Sequence, residues 1–152
     1  MKIILSKYYL LLFFLTSVLV SCTTKTTTIY TDNIKDKNQA ESIATKFYEA
    51  LKKQEYANTF NLFSPKFFQF ISEEALLKNY NKISNEQGIV TNTNLAHWHT
   101  ITVSNDESKN VYTLTFDVER KINKTIETLT FYMENGNIKI VNYDIKFSIN
   151  RL

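Results

Sequence analysis

One cysteine, one proline and two glycines are all that this 152-residue chain holds of the residues that staple, kink or loosen a backbone. A single thiol excludes an internal disulfide, so a folded domain must stand on packing alone. The scarcity of Gly and Pro excludes collagen-like and low-complexity classes and implies regular elements joined by few special turns. No block of basic residues occurs, so the clustered Lys and Arg that nucleic acid rewards are missing. What the chain has instead is aromatic bulk, with 11 Phe and 9 Tyr.

Apolar residues run together only near the start. Lys2 and Lys7 precede a run from Tyr8 to Val20 that only Thr16 and Ser17 interrupt. A bilayer-crossing helix needs about 20 apolar residues, whereas a secretory signal needs roughly 7–15. The run ends Leu19-Val20-Ser21-Cys22, which resembles the lipobox of bacterial lipoproteins. That resemblance implies a signal helix over residues 1–21, cleavage before Cys22, and a covalent lipid on the Cys22 thiol, with no other cofactor. Plain secretion, or an uncleaved helix reaching back to Ile3, is left open. Two or more acyl chains anchor a protein stably where one does not, so the expected location is the cell envelope, lipid-anchored to a membrane. Thr23 is not the aspartate of inner-membrane retention, which points to the outer membrane, facing the periplasm, in a Gram-negative host.

Residues 22–37 read as the lipidated cysteine and a tether, with six threonines among the nine positions from Thr23 to Thr31. Ile29, Tyr30 and Ile34 leave open a short docked strand. Residues 38–152 then form one domain, long enough for a core. Taking Lys2 and Lys7 from the 18 Lys and Arg leaves 16 against 15 Asp and Glu, a near-neutral mature chain.

Ala40, Ile43, Ala44, Phe47, Tyr48 and Leu51 recur at the spacing of one helical face. Asp36 or Asn38 can cap this helix, and Lys52 and Lys53 suit its C-terminal dipole. Tyr56, Phe60 and Phe63 predict a second helical stretch, stopped by Ser64-Pro65. Ser72 can cap a third helix with Glu73 and Glu74 in its first turn, a stripe of Leu76, Leu77, Tyr80 and Ile83, and Gly88 in a left-handed terminal position. From Ile89 the period falls to two. Strands are expected over about 95–104, over Tyr112–Glu119 with Tyr112, Leu114, Phe116 and Val118 inward, and around Leu129, Phe131 and Met133. Asn135-Gly136 is a hairpin turn, and the last strand should send Val141, Tyr143, Ile145 and Phe147 inward. Helices followed by a meander make an α+β domain.

The pattern Ala44-x-x-Phe47-Tyr48-x-x-Leu51, with Tyr56, Phe63-Ser64-Pro65, Ser72-x-x-x-Leu76-x-x-x-Tyr80 and Gly88 before long strands, resembles the nuclear transport factor 2-like, or ketosteroid isomerase-like, cone. Within that superfamily it is similar to lipoprotein domains of uncharacterised function. The resemblance covers roughly residues 38–148 and implies N-terminal helices on a curved antiparallel sheet of about four strands, open at one end for a ligand. Enzymatic members of that superfamily use an inward carboxylate or His with a Tyr or Asp donor. Parity puts Asp117, Glu119 and Asp144 outward, and no inward carboxylate is expected. His97 and His99, both histidines of the chain, share parity with Leu95, Ile101 and Val103. They are candidate general bases if that side faces the cone, and Tyr112 and Tyr143 are candidate donors. A zinc site would need a further ligand, and none is nominated. The alternative parity puts Ala96 and Trp98 toward the helices and the imidazoles in solvent, with a bulge between Trp98 and Ile101.

The function that follows is a non-enzymatic envelope lipoprotein that binds a small apolar ligand, a peptide or another envelope protein. The alternative is a small isomerase or dehydratase using His97 or His99. A homodimer through the threonine-rich outer face of the sheet is a third expectation, and nucleic acid is not expected as a partner.

Overall fold

The computed structural model describes residues 27–30, 34–104 and 109–147. The expected signal sequence and the expected lipidation site at Cys22 lie outside the described residues. The elements are β1 (Thr27–Tyr30), α1 (Ile34–Lys53), 3-10 helices Tyr56–Leu62 and Phe67–Gln69, α2 (Glu73–Gln87), β2 (Val90–Ser104), β3 (Lys109–Arg120), β4 (Lys124–Glu134) and β5 (Asn137–Phe147). The strands form one sheet in the order β1-β2-β3-β4-β5, each neighbour antiparallel. The chain is an α+β domain with its helices on one face of the sheet.

The helical face read from spacing is the one that is buried. Ala40, Ala44, Phe47, Tyr48 and Leu51 lie in the core, and Ile43 packs against it half-buried. Phe47 sits at the centre, edge-on to Tyr143 at 4.9 Å and to Phe63 at 5.9 Å between ring centroids. Such edge-to-face pairs add to the burial of apolar area. Ser72 caps α2 as its side chain implies, accepting from the Ala75 amide at 3.1 Å. The stretch after Tyr56 winds as a 3-10 helix and ends at Phe63, which is extended just before Ser64-Pro65.

Three boundaries differ from the sequence reading. The Thr-rich segment is not all spacer, because Thr27–Tyr30 pairs with Ser104–Ile101 at the sheet edge. Helix α1 starts at Ile34, so Asp36 lies in its first turn and Asn38 inside it. Gly88 ends α2 with φ 86° and ψ 164°. That is the extended positive-φ region open essentially to glycine alone, not the left-handed helical one. A Cβ there would meet the Ile122 amide nitrogen at 2.7 Å and that of Lys121 at 2.8 Å.

Strand parity holds through β3, where Tyr112, Leu114, Phe116 and Val118 are buried. It breaks at three register shifts. In β2 the register skips Thr91 between Val90 and Asn92, and Ala96 between Leu95 and His97. In β5 it skips Val141, since Phe131 faces Ile140 and Thr130 faces Asn142. Ile138 and Ile140 are therefore the core residues of β5, Val141 is the extra residue, and Tyr143 and Ile145 resume the inner face. Met133 and Phe147, expected inward, lie near strand ends and are substantially exposed.

Candidate functional site

The residues nominated from sequence do not converge. His97 pairs with Thr115 and His99 with Thr113, while Trp98 and Thr100 pair with the core residues Leu114 and Tyr112. The imidazoles therefore lie on the face of the sheet away from the helices, with ring centroids 6.0 Å apart, His97 exposed and His99 half-buried. The bulge at Ala96 sets this parity by separating Leu95 from the histidines. The parity that groups them with Leu95 is thus corrected, and the bulge lies before Trp98 rather than after it. Tyr112 stands apart on the inner face, where its hydroxyl donates to Asp36 Oδ2 at 3.1 Å and fastens the start of α1 to β3. Asp117 and Asp144 are exposed, as parity implies. Among the described residues, no three His, Cys, Asp or Glu side chains gather where a metal ion could be held.

Tyr143 is the nominated residue that does reach a polar centre, and its partner is Glu127. That carboxylate is fully buried on the inner face of β4, which corrects the expectation of no inward carboxylate. Oε1 accepts from Arg120 Nη2 at 2.7 Å, Arg120 Nε at 3.0 Å and Thr125 Oγ1 at 2.6 Å. Oε2 accepts from the Tyr143 hydroxyl at 2.6 Å. Arg120, whose side chain is 4 % exposed, sends its remaining Nη1 to the Gly88 carbonyl at 3.3 Å. The network thereby joins β3, β4 and β5 to the junction between α2 and β2.

Tyr48 of α1 approaches the same carboxylate. Its hydroxyl is buried without a hydrogen bond of acceptable geometry, although Glu127 is near enough to act on it. Burial, then the Glu127 charge, pushes the phenols of Tyr48 and Tyr143 well above their ordinary range. Both phenols stay neutral, and only that of Tyr143 donates to the carboxylate.

Sequence parity carried the signal for this centre. Glu127 is two residues from Leu129 and Arg120 two from Val118, so both fall on the inner face of adjacent strands. An Arg and a Glu in inward parity on neighbouring strands pair with each other, because neither is stable alone in a core.

Chemically, the centre is sealed. Both Glu127 oxygens are occupied by donors, and among the described residues Glu127 lines none of the main cavities. Several open clefts lie on the described surface, among them one of about 290 Å³ between α1 and β2, one of about 350 Å³ over β2, β3 and β4, and a groove of about 370 Å³ between α2 and β5. Its apolar wall comprises Ile71, Leu76, Ile83, Ile145 and Phe147, with Tyr80 and Tyr143 also lining it. Tyr143 therefore has its ring at the groove and its hydroxyl on Glu127. Beyond Ile140, which is bridged by Phe63, the outer edge of β5 meets no further strand among the described residues.

No protein-family model matches this chain, and no curated protein aligns with it significantly.

Proposed function

We propose that the chain is a membrane-tethered, non-enzymatic binding domain of the nuclear transport factor 2-like cone type. It is held in the cell envelope by acylated Cys22 and takes an extended polypeptide segment in the groove between α2 and β5. The observation that carries this reading is the contrast between a sealed carboxylate and an open groove. General acid–base chemistry needs a titratable group within reach of the substrate, and Glu127 is enclosed by its own donors. A groove of about 370 Å³ is of ligand size. The edge of β5 beyond Ile140, unpaired among the described residues, favours a strand-like occupant, whose backbone would continue the ladder while alternate side chains enter the groove.

Two measurements test this reading. Cys22→Ala should abolish incorporation of labelled palmitate and leave protein of precursor size, whereas unchanged labelling would remove the anchor. Synthetic peptides of alternating apolar and polar residues, titrated into the full chain in mild detergent, should protect backbone amides of 142–147 from hydrogen exchange. Ile145→Asp should abolish that protection. Displacement of an apolar dye from the groove with no amide protection would point to a small apolar ligand instead. Absence of both responses would sink the groove as a binding site.

A further inference from the structure

Both histidines of the chain stand on one strand, two residues apart, and the binding role proposed above uses neither. They rise from the outer face of the sheet, opposite Thr115 and Thr113 of β3. Between them Trp98 faces inward and packs against the core, and Thr100 just beyond is buried. This inner packing fixes the stretch of strand that carries the imidazoles. Strand geometry alone sets positions i and i+2 roughly 6.6 Å apart. The ring centroids are 6.0 Å apart, so the two side chains do not splay. Solvent reaches both, since His97 is exposed and His99 half-buried.

The surroundings suit a cation. Strand β2 holds no Lys, Arg, Asp or Glu from Val90 to Ser104. Neutral hydroxyls face the imidazoles across the ladder, and the next outward residue of β3 is the exposed Asp117. One ion can bridge the pair. With metal–nitrogen bonds of about 2.0–2.1 Å, two imidazoles on one ion have ring centres roughly 4.5 Å apart at a right angle and roughly 6.4 Å apart when opposed. The observed 6.0 Å falls inside that range. Turning the side chains closes the chelate without moving the strand.

Ligand number selects the ion. Zinc sites use three or four protein ligands, and among the described residues no third His, Cys, Asp or Glu joins this pair. Copper(II) prefers tetragonal sites of nitrogen and oxygen and stands highest in the order of divalent affinities. Two imidazoles, with water in the remaining positions, satisfy it. We propose that His97 and His99 form a surface chelate for copper(II) on the outer face of the sheet. The site lies on the face away from the helices, and so away from the α2–β5 groove. It requires neither that groove nor a lipid on Cys22, and it stands or falls apart from the role proposed above.

The test titrates copper(II) chloride into the full chain in mild detergent and a non-coordinating buffer. Cys22→Ser is present throughout, removing the only thiol that would compete. Calorimetry should show one ion taken by the histidine pair, and electron paramagnetic resonance should show splitting from two nitrogens. His97→Gln and His99→Gln, changes on the outer face, should each weaken binding on the order of 100-fold, because the second imidazole binds as part of the same chelate. The double variant should lose the two-nitrogen signal. In the unaltered pair, copper should broaden the amide resonances of Thr113 and Thr115, which face the histidines, and leave that of Ile122 in the β3–β4 turn sharp. A signal identical to that of the double variant would overturn the site. Two ions bound independently, each lost with one histidine, would overturn the chelate as well.

Discussion

The Tyr143 hydroxyl stands 2.6 Å from Glu127 Oε2, although Tyr143 lies opposite Leu129 in the ladder and Glu127 lies opposite Ile145. The bond is therefore a diagonal brace across the inner face of β4 and β5. Arg120 holds the other carboxylate oxygen from β3, so a single anion ties three strands together. Its removal should be felt throughout the sheet.

Glu127→Leu leaves the Arg120 guanidinium buried without its counter-charge and should cost about 3–5 kcal/mol. Combining it with Arg120→Met should recover most of that loss, since an apolar pair of similar volume is often as stable as a buried ion pair. Urea unfolding of both variants checks this. A double variant no better than Glu127→Leu would mean that Tyr143 and Thr125, rather than the charge, need the carboxylate.

Tyr48→Phe should be neutral or stabilising. The hydroxyl is buried without a hydrogen bond, and an unsatisfied buried polar group costs about 1–3 kcal/mol. Thermal melts decide the sign. A clear fall in midpoint would show that the hydroxyl is bonded to Glu127 in solution.

Gly88→Ala should be far more damaging than Gly136→Ala. Both glycines have positive φ, 86° and 78°, but a Cβ at 136 meets nothing within 4 Å while one at 88 strikes backbone. Conformational strain alone accounts for about 1–2 kcal/mol at 136. The collision at 88 should raise the cost to about 2–4 kcal/mol, the range of severe single substitutions. Equal costs by chemical denaturation would mean that the α2–β2 junction relaxes around the new methyl.

Stability should fall steeply in alkali. The phenols of Tyr48, Tyr80, Tyr112 and Tyr143 are all raised, chiefly by burial. In the unfolded chain they titrate near pH 10. Above that pH the unfolded state releases protons that the native state keeps, so stability declines as pH rises. Each such tyrosine adds up to about 1.4 kcal/mol per pH unit until its folded pKa is passed. Below about pH 10 these groups contribute no slope, and their stabilisation is fully present. Urea midpoints taken between about pH 8 and about pH 11.5 should be flat and then fall. A flat profile throughout would show that the phenols titrate freely in the folded protein.

Periodicity made much of the fold legible. The α1 stripe from Ala40 to Leu51, the Ser72 cap and the inward run of β3 each depend on one segment and its own repeat, so one segment suffices to read them. The brace at Glu127 was legible in principle, through its parity with Leu129, but only if a carboxylate on an inner face prompts a search for a cation in parity on the next strand. The bulges at Ala96 and Val141 left no such mark. A bulge depends on how two strands settle against each other, and it reverses the facing of every residue beyond it.

The sequence by itself determined the α+β order, the lack of any basic block, the lack of an internal disulfide and the lipobox-like Leu19–Cys22. These depend on composition and on spacing along one segment. Only the tertiary structure decided which way His97 and His99 face, that Tyr143 rather than Tyr112 joins the buried carboxylate, and that Thr27–Tyr30 is a strand rather than slack tether. Each of these outcomes depends on register between segments distant in sequence. A shift of one residue there exchanges inside for outside, and no local preference is strong enough to forbid it.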